Sequence, residues 1–506
     1  MAIQYEIHPS IGVARAGLSD EHFFGPAPGV KPPAKYRDSG KLRKQAARFQ
    51  VFECDRDSNG KLTRDPVLVT PAVARVRWTV EVANRKGAAI QVGDVSRRRN
   101  GATGIDATDK ELIVAPGPRT VDDVTPGAVF DGAFRGVAVR LGRARREADG
   151  SLVFTGGSGI SRRVPKDASA PAPDLAFADN DDWYDDTCDG IVQAEVTAPG
   201  GVPTAALAAR VICGPPDFAP GVMPWLTLHD LAYQAAVDSG FLPLERRPSF
   251  ARFIRPFLVR TTALESVSAA AAVRHGTGQP ADYAAMLAKL ADPSAANAAL
   301  RVSLLARLRH PGETGKAARR PGLMPRLYNG DENRGGPVTL ALPQAMQAYF
   351  LAWAAGNFVS DPGADPFAGE SVVDRIDRMA MEPCSGGGFF PGIEFSRLVK
   401  DKASWSAPYR LDPAIPPGKF NEGLAVPWQS DYFECEYSDD DSLAWWPSQR
   451  PDEVRKSDGT SAAWRRGIES HGAMVDRFSE LGIVRANSAG RMVETERELA
   501  EPGNVT

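Results

Sequence analysis

The hydrophobic pattern of the chain changes its period near residue 227, and this change limits the fold more than any other feature. Upstream, apolar and polar residues alternate, most clearly over residues 72–84, where the apolar positions are Ala74, Val76, Trp78, Val80 and Val82. Alternation of this kind predicts a half-buried strand. Downstream, apolar residues recur at helical spacing, beginning with Leu228, Leu231, Ala232, Ala235 and Ala236. A β-rich part followed by a helical part is therefore expected.

We predict an α+β fold with three parts. Residues 1–220 form an antiparallel β-rich lobe, in which Asp149-Gly150 marks a hairpin between two strands. Residues 221–370 form a mainly helical region, and residues 371–506 form an irregular, loop-rich region whose last expected helix covers residues 461–482. A chain of 506 residues exceeds what one core usually fills, which agrees with several parts.

Composition excludes several classes of function. The net charge is −3 and the pI is about 6.2, so no basic surplus attracts nucleic acid or an anionic membrane. No apolar run reaches the ~18–20 residues that span a bilayer. The first residues lack the pattern of a secretory signal, so we expect a cytoplasmic protein, with later export left open. The five cysteines are never spaced as CxxC, which disfavours a disulfide framework or a zinc site, and no metal is expected.

A cysteine followed by glycines is the main chemical feature of the last part. A helix over residues 371–382 is expected to end at Pro383, directly before Cys384. Then follow Gly386, Gly387, Gly388, Phe389, Phe390 and, after a Pro-Gly pair, Glu394. The glycines permit positive φ angles and let another group come close to the sulfur. About sixty residues later Trp445 and Trp446 are adjacent. Without further information, a tight turn and core aromatics explain both motifs.

An acidic segment at residues 178–190 is the second candidate site. Its carboxylates are Asp179, Asp181, Asp182, Asp185, Asp186 and Asp189. Such oxygen ligands suit calcium, but the spacing is not that of an EF-hand loop, and the glutamate expected at its twelfth position is missing. Calcium binding is therefore the less favoured interpretation.

Five motifs in order carry a resemblance to a known family. They are IHPSIGVARAGLS from Ile7, DDWYDDTCDG from Asp181, the glycine loop, AVPWQSDYFEC from Ala425 and WWPSQRPDEV from Trp445. Together they resemble the lysine ε-oxidase/glycine oxidase family of quinoproteins. Enzymes of this family carry cysteine tryptophylquinone, which is made from their own cysteine and tryptophan side chains. The resemblance runs from about Ile7 into the C-terminal region.

The resemblance implies roles for individual residues. Cys384 is the expected thioether donor, Trp446 is the chosen indole and Trp445 the alternative, because sequence does not separate neighbours. Gly386, Gly387 and Gly388 would let the thiol and the indole approach. The acidic segment would place Tyr184 or Trp183 against the quinone, and Phe389 and Phe390 would complete the substrate pocket. Cys435 is interpreted as a small buried hydrophobe.

Two departures from the family pattern concern the base and the substrate. The family has an aspartate about one turn before the cysteine, where this chain has Ala380. Asp377 or Glu382 could replace it as the catalytic base. The glycine-oxidising members have a histidine before the AVPWQ-like motif, where this chain has Glu422 and Gly423. Glycine is therefore a less favoured substrate than another amine. The sequence has no GxGxxG motif after a strand, so a dinucleotide cofactor is not expected.

The resemblance implies an oxidase that acts on the primary amine of an amino acid or peptide. It would use molecular oxygen, release ammonia and hydrogen peroxide, and need a flavoprotein partner for maturation; we also expect a homo-oligomer. The alternative is a family member that never modifies its tryptophan and acts as a binding or scaffold protein. The missing aspartate favours this alternative, whereas the cysteine, the glycines and the tryptophans favour the oxidase.

Overall fold

A computed structural model describes residues 3–57, 60–104, 107–312, 322–329, 339–433 and 447–500. The strands in these ranges are β1 (Ile3–His8), β2 (Ile11–Arg15), β3 (His22–Phe24), β4 (Arg37–Asp38), β5 (Lys41–Leu42), β6 (Lys44–Asp55), β7 (Val67–Leu68), β8 (Arg75–Ala83), β9 (Arg119–Val121), β10 (Gly127–Phe134), β11 (Val137–Arg146), β12 (Leu152–Gly156), β13 (Ser161–Arg163), β14 (Trp183–Asp185), β15 (Cys188–Thr197), β16 (Thr204–Ala205), β17 (Ala209–Gly214), β18 (Trp405–Ala407), β19 (Arg410–Leu411), β20 (Glu453–Arg455), β21 (Ser461–Ala463), β22 (Ile483–Ala486) and β23 (Met492–Thr495).

The α-helices lie after the first lobe, as the change of period predicts. In the described ranges they are α1 (Leu228–Asp238), α2 (Arg255–Ala263), α3 (Ala269–His275), α4 (Leu287–Leu290), α5 (Ala298–Leu305), α6 (Gln344–Ala354), α7 (Val372–Met381), α8 (Trp428–Phe433) and α9 (His471–Arg477). A π-helical turn, Phe250–Ile254, leads directly into α2. None of the helices described is long and apolar enough to cross a membrane.

Thirteen of the described strands form one sheet. Its main path is β10-β11-β12-β6-β2-β17-β15-β8-β9; β1, β3 and β7 also pair with β6, and β16 pairs with β15. The pairs are antiparallel except β2 with β17 and β3 with β6, which are parallel. Strand β8 alternates between exposed and buried residues, with Val76, Trp78 and Val80 buried. The predicted β-rich lobe is confirmed, with two parallel pairs added to it.

The central strands β2 and β17 are buried on both faces. Ile11 and Ile212 belong to the core that also contains the helices and Cys384. Ala14 and Cys213 belong to the core inside the β-rich lobe. Because successive side chains of a strand point to opposite faces, the same two strands supply both cores. The sheet thus joins the two parts, and the predicted boundaries at 220 and 370 stay a prediction.

Helix α7 carries the chain into the cysteine loop. Ser371 caps its first turn by accepting a hydrogen bond from Asp374 N, and the Asp374 side chain accepts one from Ser371 N. This reciprocal arrangement fixes where the helix starts. Glu382 caps the other end, and Pro383 follows. The helix and its end agree with the prediction for residues 371–382.

The predicted final helix over residues 461–482 is wrong in its first half. Ser461–Ala463 is strand β21, which pairs with β20. Gly467 has a φ of 83°, a left-handed conformation that ends any regular helix there. The helix begins only at His471, where Ser470 caps it. The Trp464 ring is buried and donates to Gly482 O (2.9 Å), so tertiary packing overrides the local helical pattern.

Candidate active site

The ends of the parallel strands β2 and β17 form the base of the site. Arg15 ends β2 and is paired in register with Gly214, which ends β17. Since parallel strands end at the same edge of a sheet, Arg15 and the segment after Gly214 lie together. Arg15 Nη1 donates to Pro215 O (3.3 Å), and its Nη2 lies 3.9 Å from an oxygen of Asp217. This edge therefore holds a buried guanidinium and a buried carboxylate.

The cysteine loop packs tightly over this edge and against the start of α1. Leu228 N donates to the carbonyl of Cys384 (2.7 Å). Gly386 has a φ of 57°, which favours glycine. A Cβ on Gly387 would lie 2.8 Å from Ser396 O, and one on Gly388 would lie 2.9 Å from Ser385 O. The three glycines are thus needed for the fold of the loop itself.

The Cys384 thiol is buried, with 1% of the residue exposed. Its Sγ lies 3.6 Å from Ala380 O, to which the thiol donates, and 4.0 Å from Arg15 Nη2. Burial raises the pKa of the thiol well above its usual range; the Glu394 charge raises it further and Arg15 opposes the rise. The thiol is therefore protonated at neutral pH, and a proton must be removed before it acts as a nucleophile.

Glu394 is one of two carboxylates near this thiol, the other being Asp217. Arg15 Nη2 donates to Glu394 Oε1 (2.7 Å), and Gln449 Nε2 donates to the same oxygen (3.1 Å). The backbone N and the hydroxyl of Ser385 both donate to Oε2 (3.1 Å each). In the sequence, Glu394 stands out only as the acid that follows the Pro-Gly pair. The sequence could have indicated that Glu394 has a partner, because an acid within an apolar, glycine-rich loop is buried only when it is paired.

Gln449 connects the segment after the two tryptophans to the cysteine loop. The Gln449 side-chain Nε2 donates to Pro383 O (2.7 Å) as well as to Glu394. The backbone carbonyl of Gln449 accepts from Phe218 N (3.1 Å). Trp445, Trp446 and Cys435 lie outside the described residues, and the description resumes at Pro447. Gln449, three residues after Trp446, is therefore bound to the residue before Cys384 and to the carboxylate that accepts from the residue after it.

Two sequence models match long parts of this chain. The one described as L-Lysine epsilon oxidase N-terminal matches residues 8–213, and the one described as L-lysine epsilon oxidase C-terminal domain matches residues 326–457. Together they cover more than half of the chain, including Arg15, Cys384, Glu394 and Gln449. The chain belongs to the L-lysine epsilon-oxidase family. The family resemblance of the five motifs is thereby confirmed.

Relatives of known structure agree with this membership. L-lysine 6-oxidase of Marinomonas mediterranea is 24% identical, in an alignment that covers 85% of this chain and 70% of that protein. The crystal structure of the Schiff base intermediate of L-Lys epsilon-oxidase from the same organism, with L-Lys, has a TM-score of 0.78 at 21% identity, covering 98% of this chain and 95% of that one. A second crystal structure of that oxidase has a TM-score of 0.77 at the same identity and coverage. The fold of this chain is that of these structures.

The two carboxylates predicted as the base lie in other ion pairs. Oδ1 of Asp377 accepts hydrogen bonds from His8 Nδ1 (2.9 Å) and from Ser10 N (2.7 Å). Glu382 Oε1 accepts from Arg378 Nε (2.7 Å), and its side chain is 22% exposed. The family position that holds an aspartate is Ala380, whose carbonyl accepts from the thiol. The role of Asp377 or Glu382 as the base stays a prediction.

The predicted aromatic residues occupy different surroundings. Tyr184 is buried in the core of the β-rich lobe, 5.6 Å from the Phe134 ring, and Trp183 is half-buried beside it. Phe389 is buried under the guanidinium of Arg450, 5.3 Å from the ring centre. Their place in a substrate pocket stays a prediction.

Phe390 links the cysteine loop to two aromatics that sequence reasoning missed. Its ring lies 6.2 Å from that of Phe177 and 5.1 Å from that of Tyr328. Phe177 directly precedes the acidic segment, and its carbonyl accepts from the Ser430 hydroxyl (2.9 Å) in α8. The acidic segment thus reaches the cysteine loop through Phe177.

The carboxylates of the acidic segment bind donors of the protein. Asp179 pairs with Arg99 (2.8 Å), Asp182 with Arg163 (3.2 Å) and Arg135, and Asp185 with Lys86 (2.7 Å). Asp186 accepts from the backbone of Ser158 and Gly159 (2.6 and 3.0 Å), and burial raises its pKa to about 7. Asp185 also accepts from Trp428 N (3.2 Å). These contacts give the segment a structural role in holding α8.

Proposed function

We propose that this protein oxidises the primary amine of an amino acid or peptide, with a cysteine tryptophylquinone formed from Cys384 and Trp446. The observation that carries the proposal is the pair of hydrogen bonds from Gln449 to Pro383 O and to Glu394. Three residues of chain span at most about 11 Å, so an indole at position 446 can reach the thiol. Trp445 is the alternative donor of the indole.

The residues around the thiol suit such a group. The cysteine loop holds the sulfur in a buried, water-poor position, and the positive φ at Gly386 lets the loop pack against Leu228. The quinone supplies an electrophilic carbonyl, which no ordinary side chain offers to an amine. The overall reaction turns amine, water and oxygen into a carbonyl product, ammonia and hydrogen peroxide. Trp183, Tyr184, Phe389 and Phe390 are the proposed pocket residues around the quinone.

Formation of the crosslink needs an oxidant from outside the chain. The thiol and the ring each lose a hydrogen atom when the C–S bond forms, and two oxygen atoms are added to the indole. We propose that a flavoprotein partner and molecular oxygen take up these electrons. Within this chain, the Arg15 guanidinium stabilises the thiolate by charge, and Glu394 positions Arg15.

The proton on the amine-bearing carbon needs a base within hydrogen-bond reach. Asp377 and Glu382 are the two proposed residues. Glu394 is a third, because it is the described carboxylate in contact with the neighbours of Cys384. Turnover in Asp377→Asn, Glu382→Gln and Glu394→Gln decides between the three, provided that each variant retains the crosslink.

Peptide mass mapping of protein produced together with its flavoprotein tests the function. We expect one linked peptide pair, joined at Cys384 and Trp446, with two added oxygen atoms and visible absorption. Trp446→Phe should abolish the link, and Trp445→Phe should retain it. Separate, unmodified peptides would overturn the oxidase and favour a binding protein, for which the replacement of the family aspartate by Ala380 is the supporting observation.

A further inference from the structure

A cavity of about 440 Å³ has Cys384 among the residues that line it. Its other lining residues come from β2, β6 and α7 and from the segment Phe24–Val30. Arg15, Ala380 and Pro383, which line it near Cys384, are called its inner end. The lining also includes exposed apolar residues, called its rim, since Leu68 is 37% and Val372 is 42% exposed. The cavity therefore extends from exposed residues to the buried Cys384.

The walls of this cavity are mostly apolar, with Gln45 and Gln50 as neutral polar residues. Val13, Ala47, Phe52 and Ile376 line it, together with several prolines. None of the described residues that line it is an aspartate or a glutamate. An ammonium group buried there would have no carboxylate partner, and such burial is costly.

The charged residues that line the cavity are two arginines. Arg15 is paired with Glu394 at the inner end, and Arg48 is paired with Asp149 at the rim. Because both carboxylates are already paired with these arginines, neither is left free to bind a second ammonium group. The volume falls within the range of small-molecule sites, which is about 300–1,000 Å³, and such sites are mostly apolar.

We propose that this cavity binds the apolar side chain of the amine substrate, with the amino group at the Cys384 end. This inference rests on the proposed function and specifies its substrate class: primary amines with an aromatic or branched aliphatic side chain and no second ammonium group. Ala380 contributes to this selectivity, because an aspartate at that position would place a carboxylate at the inner end. A diamine therefore binds less well than an apolar amine.

The first test uses protein produced without the flavoprotein, so that binding is measured apart from the chemistry. The probe is 2-phenylethanol, which has the shape of 2-phenylethylamine but lacks the amine. We expect it to bind by isothermal titration calorimetry, and Val372→Trp at the rim should weaken binding at least tenfold. Val302→Trp is the matched control, because Val302 is an exposed helical valine (54%) that does not line the cavity. No binding, or equal binding by both variants, overturns the proposal.

The second test uses the mature enzyme. We expect kcat/KM for 2-phenylethylamine to exceed that for 1,5-diaminopentane at least tenfold, and 2-phenylethanol should compete with the amine. Val372→Trp should raise KM for 2-phenylethylamine and leave the visible absorption unchanged. A preference for the diamine, or a lack of competition, overturns the substrate class while the oxidase stands. An absence of the Cys384 crosslink overturns the proposed function instead, and mass mapping of the same sample separates the two failures.

Discussion

Two buried clusters of charged side chains contact α7 and the loop after it, and they differ in how their charges balance. The histidine cluster consists of Glu6, His8 and Asp377, with Arg56 bound to both oxygens of Glu6 (2.6 and 2.8 Å). Its charges alternate in sign along a chain of hydrogen bonds from Arg56 through Glu6 and His8 to Asp377. Burial lowers the pKa of His8, but the charge and hydrogen bond of Asp377 more than reverse this and raise it to about 10.

The thiol cluster consists of Arg15, Asp217, Cys384 and Glu394. It sets one guanidinium against two carboxylates and a thiol. Burial raises the pKa of Asp217 to about 6 and that of the thiol well above its usual range. In the thiol cluster burial drives the acidic groups towards their neutral forms, whereas in the histidine cluster the partners keep His8 charged despite its burial. Burial on the helix before the cysteine is therefore not enough to make an acid such as Asp377 catalytic.

The contrast between one buried cysteine of each cluster's surroundings, Cys384 and Cys54, should give the largest effect. Cys384→Ala should abolish the crosslink, the visible absorption and amine turnover, because it removes the thioether sulfur. Cys54→Ala is the matched control, since Cys54 is equally buried but lies beside the histidine cluster. Mass mapping and absorption spectra of both variants measure the difference. If only Cys54→Ala lost the crosslink, the reactive cysteine would belong to the histidine cluster and not to the thiol cluster.

Removal of one carboxylate from each cluster should give the next largest effect. Glu394→Gln leaves the buried Arg15 guanidinium with less compensation, and arginine does not lose its proton, so a cost of about 3–5 kcal/mol in the free energy of unfolding is expected. Asp377→Asn should cost less, because His8 can release its proton. Urea unfolding measures both values.

The alkylation rate of Cys384 distinguishes Glu394→Gln from Asp377→Asn, and a purely structural role of either acid would not change it. The negative charge of Glu394 raises the pKa of the Cys384 thiol, so Glu394→Gln should lower that pKa and speed alkylation of Cys384 at pH 8. Asp377→Asn should leave the alkylation rate unchanged. Peptide mass spectrometry after iodoacetamide treatment gives the rates. If Asp377→Asn matures normally yet loses turnover, Asp377 is the base as the sequence predicts.

The pH dependence of stability should separate the clusters further. The pKa of His8 is about 10 in the folded protein and about 6.5 in the unfolded chain, so its contribution is complete below pH 6.5 and declines as the pH rises to 10. Between pH 6.5 and 9 the decline amounts to roughly 3 kcal/mol. We expect wild type to lose more stability than His8→Gln over this range in urea unfolding. Parallel curves for the two proteins would contradict the ion-pair account of the histidine cluster.

Glu382→Gln should have the smallest effect. Glu382 is partly exposed, and its partner Arg378 keeps an ion pair with Glu370 (2.7 Å) and lies over the Phe367 ring (4.4 Å). A cost of about 0.5–1 kcal/mol is expected for such a pair. Turnover of the variant with an intact crosslink decides its catalytic role: normal turnover excludes Glu382 as the base, and a loss of turnover identifies it.

The sequence by itself determined the features that depend on local or periodic patterns. Alternation marked β8, helical spacing marked α1, and Ser371 with Pro383 marked both ends of α7. The cysteine and its three glycines were visible for the same reason, because the loop is contiguous in the chain. These features follow from backbone geometry, which neighbouring residues set.

Only the tertiary structure decided which charges meet. Arg15 and Glu394 are 379 residues apart, and Gln449 reaches the same carboxylate from 55 residues away. Asp377 and Glu394 are both buried acids near Cys384 in sequence, yet α7 turns the first towards His8, while the loop brings the second towards Arg15. The first half of the predicted last helix became a hairpin for the same reason. Long-range packing decides the partner of a buried charge, because a charge without a partner is too costly to bury.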